Sequence, residues 1–163
     1  MVVFRCTRKV LIRLRVEPAA EPPPSTGRLG DWYIGLVFIR RRPVLLLVSE
    51  QTRLPVLVSA SPPRLLPARF KIALSHVLVD LAIDPERIAQ ELRAVDKIII
   101  ATTQNRSLLG TINDFTLAIK LAVEDGSVVS FHALSLWLAD TPIRPLDDDP
   151  ARATRKRLAG AIH

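Results

Sequence analysis

The chain has 163 residues, of which 48% are hydrophobic and 24% charged, and a formal net charge of +7. This balance is typical of one folded domain and excludes a disordered chain. No apolar run approaches the roughly 18 residues that span a bilayer, which excludes a membrane span. The single cysteine, Cys6, excludes an intramolecular disulfide and a Cys-rich zinc site. We expect a cytoplasmic protein without a secretory leader, a bound metal or a cofactor.

Positive charge is concentrated in the first half of the chain. Residues 1–75 contain 13 Lys and Arg against 4 Asp and Glu, whereas residues 76–163 contain 10 against 12. A basic half can bind the phosphates of a nucleic acid. A solvated, arginine-rich surface explains the same pattern, because no aromatic residues lie among the basic ones as they do in single-strand binders.

The first half of the chain predicts a β-rich unit. A strand over residues 2–6 and a short helix over residues 8–15 precede a Pro- and Gly-rich loop. Three strands then follow over residues 32–39, 44–49 and 54–59, and their connections are too short for parallel pairing. They form an antiparallel meander over residues 32–59, whose first turn contains Arg40, Arg41 and Arg42.

The second half predicts helices around one further strand. Apolar residues recur at helical spacing, and the predicted helices lie near residues 68–95, 111–125 and 131–140. An isoleucine-rich strand lies near residues 97–103. We expect a single α+β domain over residues 1–145, with a mainly antiparallel sheet and helices on one face. We expect residues 146–163 to form a flexible, charged tail that is helical in part.

Polar side chains are concentrated where the isoleucine-rich strand leads into the helix predicted from Thr111. The candidate ligand-binding residues are Thr103, Asn105, Arg106, Ser107, Asn113 and Asp114. The N-terminus of a helix favours anions, and Arg106 adds a guanidinium suited to phosphate or carboxylate. The alternative is a network that only caps the helix, because Thr111 with Asp114 resembles a capping box and Asn105 and Ser107 are common in turns. That network accounts for every residue except Arg106.

The same segment resembles the signature of an uncharacterised bacterial and archaeal family of unknown function. Residues 105–115 read N-R-S-L-L-G-T-I-N-D-F, and the family pattern is N-R-S-x-x-G-x-M-N-D-F, with Ile112 here where Met is common. Further matches are Arg5-Cys6-Thr7-Arg8-Lys9, Asp31-Trp32-Tyr33 and Glu50-Gln51-Thr52. The resemblance covers about residues 2–145. It implies a compact α+β domain and assigns no reaction, cofactor or catalytic residue.

Three functions from different classes stay open. The first is nucleic-acid binding through Arg40, Arg41 and Arg42, the N-terminal basic residues and the segment 103–114. The second is a protein-interaction or regulatory module of a two-gene, toxin–antitoxin-like system, or a homodimer, with an exposed strand edge or a Pro-rich loop as its contact surface. The third is a small nuclease-type enzyme that uses Arg106, Asn113 and Asp114. His76 and His132 lack metal-ligand spacing, and we interpret them as ordinary helix residues.

Overall fold

A mixed β-sheet organises the chain, which we describe from a computed structural model covering residues 1–126, 130–144 and 146–159. The described strands are β1 Val2–Cys6, β2 Trp32–Ile39, β3 Arg42–Ser49, β4 Pro55–Ser59 and β5 Ile98–Thr102. Their order across the sheet is β4-β3-β2-β1-β5. The pairings in the meander are antiparallel, whereas β1 is parallel to both β2 and β5. The predicted α+β class is confirmed.

The helices of the described residues are α1 Arg8–Leu14, α2 Leu66–Asp80, α3 Pro85–Ala94, α4 Arg106–Glu124, α5 Phe131–Ala139 and α6 Pro150–Leu158. A 3₁₀ turn over Pro63–Leu65 precedes α2. The Asp84 and Ser130 side chains cap α3 and α5. Within the described ranges, no helix combines the length and the apolar composition that crossing a membrane requires.

Helices cover both faces of the sheet, and the prediction that they lie on one face is therefore wrong. The alternation of side chains along the strands produces two separate cores. Trp32 and Ile34 of β2 belong to a core that includes residues of α2, while Tyr33 and Val37 belong to a core with α4 and α5. β3 contributes to both cores, because it is buried on its two sides. Its continuous apolar run is the pattern of a strand covered on both faces.

Helix α4 begins at Arg106, five residues before the predicted start at Thr111. Gly110 favoured the later start, since glycine costs about 1 kcal/mol relative to alanine inside a helix. Burial of apolar side chains on one face of α4 outweighs that cost. These side chains include Leu108, Ile112, Phe115 and Ile119. α4 also approaches β2 closely, because a Cβ atom at Gly35 would lie 2.8 Å from Ile112 Cγ2.

The C-terminal segment contains the packed helix α6, which differs from the predicted flexible tail. Asp149 caps α6, and Pro150, Ala151, Thr154 and Leu158 are buried. The sequence of this segment has few apolar residues, but those few share one face of the helix and pack on the domain. The predicted domain boundary at residue 145 and the tail residues 160–163 lie outside the described residues.

Both edges of the sheet carry hydrogen-bond partners from other segments. On β4, the Leu57 N–H donates to Ser135 Oγ at 3.1 Å, and Arg69 Nη1 donates to Ser59 O at 3.4 Å. Pro55 has no N–H to offer. On β5, Ile100 O accepts from the Ala19 N–H at 2.8 Å. The strand edge that we expected as a protein-contact surface is therefore covered at each of these positions.

Candidate functional site

The junction between β5 and α4 holds three of the predicted site residues at the start of the helix. The Asn105 side chain is the N-cap, and its Oδ1 accepts from Ser107 N at 2.9 Å and from Leu108 N at 3.2 Å. Arg106 and Ser107 are the first residues of α4, and Arg106 is exposed. Thr103 is half-buried in the segment before the cap.

Asn113 and Asp114 lie apart from this junction. Both are exposed in the third turn of α4, about 10 Å along the helix axis from Arg106 at 1.5 Å per residue. Thr111 is buried inside the helix, and its Oγ1 donates to Ser107 O at 3.2 Å. The predicted capping box of Thr111 and Asp114 is therefore wrong, because Asn105 caps the helix one and a half turns earlier. The alternative that the polar residues only cap the helix still explains Asn105, which is the observed N-cap.

The Arg53 side chain contacts the start of α4, although no sequence pattern marks Arg53 as a site residue. Arg53 lies in the turn between β3 and β4, has a φ of 61° and is 7% exposed. Its Nη2 donates to Ser107 Oγ at 3.2 Å. Its Nη1 is buried and finds no hydrogen-bond partner among the described residues. The guanidinium thus carries an unused donor beside the positive end of a long helix.

Five polar side chains share this region with Ser107, and we call the six residues the Arg53 cluster: Arg5, Asp31, Tyr33, Glu50, Arg53 and Ser107. Arg5 and Asp31 satisfy each other, with 2.9 Å between Arg5 Nε and Asp31 Oδ2. Arg5 Nη1 also donates to Thr102 O at 3.1 Å, which ties the ends of β1 and β5 together. Asp31 Oδ1 accepts from Ser25 Oγ at 2.7 Å.

The electrostatics of the cluster leave Arg53 without a bonded counter-ion. Among the described residues, the ion pairs within 4.0 Å include Arg5 with Asp31 but none to Arg53. Burial lowers the pKa of Arg53, although the charge of Glu50 opposes that effect. Burial and then the Asp31 carboxylate raise the pKa of Glu50. Burial likewise raises the pKa of the Tyr33 hydroxyl. The cluster is therefore a desolvated polar region that can accommodate one further hydrogen-bond acceptor.

The predicted basic turn lies at a distance from this cluster. Arg40 and Arg41 form a two-residue turn with φ values of 50° and 67°, and Arg42 begins β3. All three are exposed. Arg53 lies in the turn after Ser49, and Ser49 pairs with Trp32. Arg40 lies eight residues beyond Trp32 along β2, which places it about 26 Å from that end of the sheet at 3.3 Å per residue.

Two other chemistries have little support in the structure. Burial raises the pKa of the Cys6 thiol to about 12, so that it is a thiol at neutral pH and a poor nucleophile. Across residues 1–126, 130–144 and 146–159, no group of three or more His, Cys, Asp or Glu side chains could hold a metal ion.

Comparison with known proteins identifies a family and assigns no activity. No curated protein and no solved structure is significantly similar to the chain. A family model described as a domain of unknown function, DUF6933, matches residues 3–153. The match begins in β1 and ends inside α6, so it includes the Arg53 cluster and the basic turn. Since the model covers most of the 163 residues, the chain belongs to the DUF6933 family of domains of unknown function.

Proposed function

We propose that the protein binds nucleic acid through its phosphate backbone. One phosphate binds at the Arg53 cluster, and a second phosphate contacts Arg40, Arg41 and Arg42. The observation that carries the proposal is the buried Nη1 of Arg53, which has no acceptor in the described structure and lies at the N-terminal end of α4.

A phosphate oxygen can act as the hydrogen-bond acceptor that Arg53 Nη1 lacks in the described structure. A buried donor left without an acceptor costs about 1–3 kcal/mol, and more when it is charged. A phosphate is a strong acceptor for a guanidinium and is favoured at a helix N-terminus. Ser107 is exposed and hydrogen-bonded to Arg53, and the exposed Arg106 precedes it at the start of α4, so the helix start offers further donors. These features supply the binding energy for a single anionic group.

The separation between the two basic sites favours a polymer over a small phosphate compound. The distance of about 26 Å along β2 corresponds to about eight base pairs of duplex, at 3.4 Å per pair. A mononucleotide is too small to reach from the Arg53 cluster to the basic turn. The excess of basic residues in the first half of the chain adds a sequence-independent attraction for the backbone.

The test is fluorescence anisotropy with labelled single-stranded and duplex DNA and RNA of about 20 nucleotides, from about 50 to 200 mM salt. We expect affinity to decrease with salt. Arg53→Gln should weaken binding about tenfold for all sequences and reduce the log–log salt slope by about one. The double variant Arg40→Asn with Arg41→Gly should reduce the slope by about one, since the basic turn contacts one phosphate. Lys120→Gln, which removes an exposed cation farther along α4, is the matched control and should have a smaller effect.

Each arm of the experiment can overturn the proposal. Absence of salt-sensitive binding to all four oligonucleotides contradicts nucleic-acid binding. Equal affinity for a mononucleotide and for the oligonucleotide would identify a small phosphate compound as the ligand instead. An unchanged affinity of the Arg53→Gln variant would remove the cluster from the binding surface. Because Arg53 is buried, thermal unfolding of each variant is measured alongside, and Arg106→Ala tests the same place with an exposed side chain.

A further inference from the structure

A second concave region lies beside strand β4, away from the Arg53 cluster. It is a cavity of about 360 Å³ between β4, α2 and α5, open to solvent on one side. This volume lies within the range of about 300–1,000 Å³ that is usual for small-molecule sites. Its apolar wall consists of Leu57, Val58, Ile72, Ala73, Val77 and Phe131. Ile72 is 59% exposed, so a large apolar side chain faces solvent at the opening.

Among the described lining residues of this cavity, Arg69 carries a positive charge and no side chain carries a negative one. Arg69 lies at one end, where its Nη1 donates to Ser61 O at 2.6 Å, and no described ion pair involves Arg69. His76 and His132 lie at the other end, with ring centroids 6.1 Å apart. The Asp80 carboxylate, outside the lining, is held by His132 at 2.6 Å. Among the residues that the structure describes, the lining therefore offers a cation without an ion-pair partner and no carboxylate.

The spacing of the lining residues along α2 places the charged Arg69 at one end of the cavity, apart from the apolar residues Ala73 and Val77. Arg69, Ala73, His76 and Val77 share one face of the helix, at three- and four-residue intervals. The distance from Arg69 to Val77 along the helix axis is about 12 Å at 1.5 Å per residue. A ligand that fits must therefore be elongated and apolar, with one anionic group at its end.

We propose that this cavity binds a small amphipathic carboxylate, with its carboxylate at Arg69 and its apolar chain against Ala73, Val77 and Phe131. The site is independent of the nucleic-acid proposal, since it uses none of the residues of the Arg53 cluster. A carboxylate complements the planar guanidinium of Arg69, and the apolar chain removes surface of both ligand and cavity from water.

The test uses three probes with the same eight-carbon chain: octanoate, octanol and octylammonium. Binding is measured by isothermal titration calorimetry and by NMR shift changes of the α2 and α5 amides. We expect octanoate to bind about tenfold more tightly than octanol, a difference of about 1.4 kcal/mol, and octylammonium more weakly still. Arg69→Gln should reduce octanoate to the affinity of octanol, whereas Arg69→Lys should retain part of the preference.

A cavity-filling variant separates this site from binding elsewhere. Ala73→Phe should abolish binding of both octanoate and octanol, and Ala89→Phe, on the exposed side of α3, should leave both unchanged. Equal affinities of the three probes would contradict the carboxylate preference. Retained octanoate binding in Ala73→Phe, or no binding of any probe to the wild-type protein, would overturn the site. Thermal unfolding of each variant shows whether lost binding reflects lost folding.

Discussion

Glu50 carries a negative charge in the Arg53 cluster that opposes an incoming anion. Its pKa is raised by burial and by Asp31, so it takes up a proton at a higher pH than a solvated glutamate does. Protonation removes a negative charge next to Arg53, and phosphate binding should therefore strengthen as pH falls through this raised pKa. Glu50→Gln should bind oligonucleotide more tightly at neutral pH, by about three- to tenfold, because one repulsive charge is lost.

The measurement is anisotropy from about pH 4 to 8 at fixed ionic strength, a range that begins near the ordinary pKa of a glutamate. Wild type and Glu50→Gln should converge at the acidic end, since both are then neutral at this position. The two proteins differ only at this position, so the difference between the two curves isolates Glu50. Parallel curves with a constant separation would show that Glu50 stays ionised throughout and does not control the site.

Single residues also show what the sequence could and could not predict about the site. Asn105 and Ser107 were predicted because caps and turns have local signatures. Arg53 was missed because its contact with Ser107 joins residues 54 positions apart, and one arginine in a turn has no distinctive pattern. Asn113 and Asp114 were grouped with the helix start because Gly110 was interpreted as its boundary. The site residues themselves remain a proposal.

The turn between β2 and β3 is an element whose sequence conflicts with its backbone. Arg40 and Arg41 both have positive φ, in a two-residue turn that favours Asn-Gly. A left-handed conformation costs a residue other than glycine about 1 kcal/mol or more. Arg40→Asn with Arg41→Gly should therefore stabilise the protein by about 1–2 kcal/mol, measured by urea unfolding.

Arg42→Asn provides the contrast for this turn. Arg42 is the next basic residue and is also exposed, but it lies in β3, where its backbone is paired with Ile39. The change removes the same charge without relieving any positive φ, and asparagine is less favourable than arginine in a strand. Stabilisation of equal size in Arg42→Asn would attribute the effect to charge repulsion among the three arginines rather than to backbone conformation.

Elements defined by local pattern were predicted well, and their arrangement was not. The meander strands and the capped helices α3 and α5 match the structure because turn chemistry and side-chain period are local. The parallel placement of β1 between β2 and β5 follows from no local signal, because long connections permit several strand orders. The two-sided cover of the sheet did have a signal in the unbroken apolar run of β3.

At the scale of the whole molecule, a chain of buried hydroxyls connects α6 to the turn that holds Arg53. Thr154 Oγ1 donates to Thr52 Oγ1 at 2.9 Å, and Thr52 Oγ1 donates to Ser49 Oγ at 3.3 Å. Ser49 Oγ in turn donates to Leu29 O at 2.7 Å. Buried hydroxyls that satisfy one another hold their elements in a fixed arrangement. The C-terminal helix thereby supports the backbone beside the Arg53 cluster.

The packing of α6 can be tested, to show whether this helix is part of the domain or a flexible tail. Leu158 is 2% exposed and belongs to the core that contains α2 and β2. Leu158→Ala should reduce the free energy of unfolding by about 2–5 kcal/mol, the usual cost of a cavity at a buried leucine. Arg152→Ala, on the exposed side of the same helix, should change the free energy of unfolding by less than about 0.5 kcal/mol.

If urea unfolding of the two variants coincides with that of the wild type, α6 contributes nothing to the free energy of unfolding. The segment then behaves as the flexible tail that its composition predicts. If only Leu158→Ala is destabilised, the packing of α6 is part of what folds the domain.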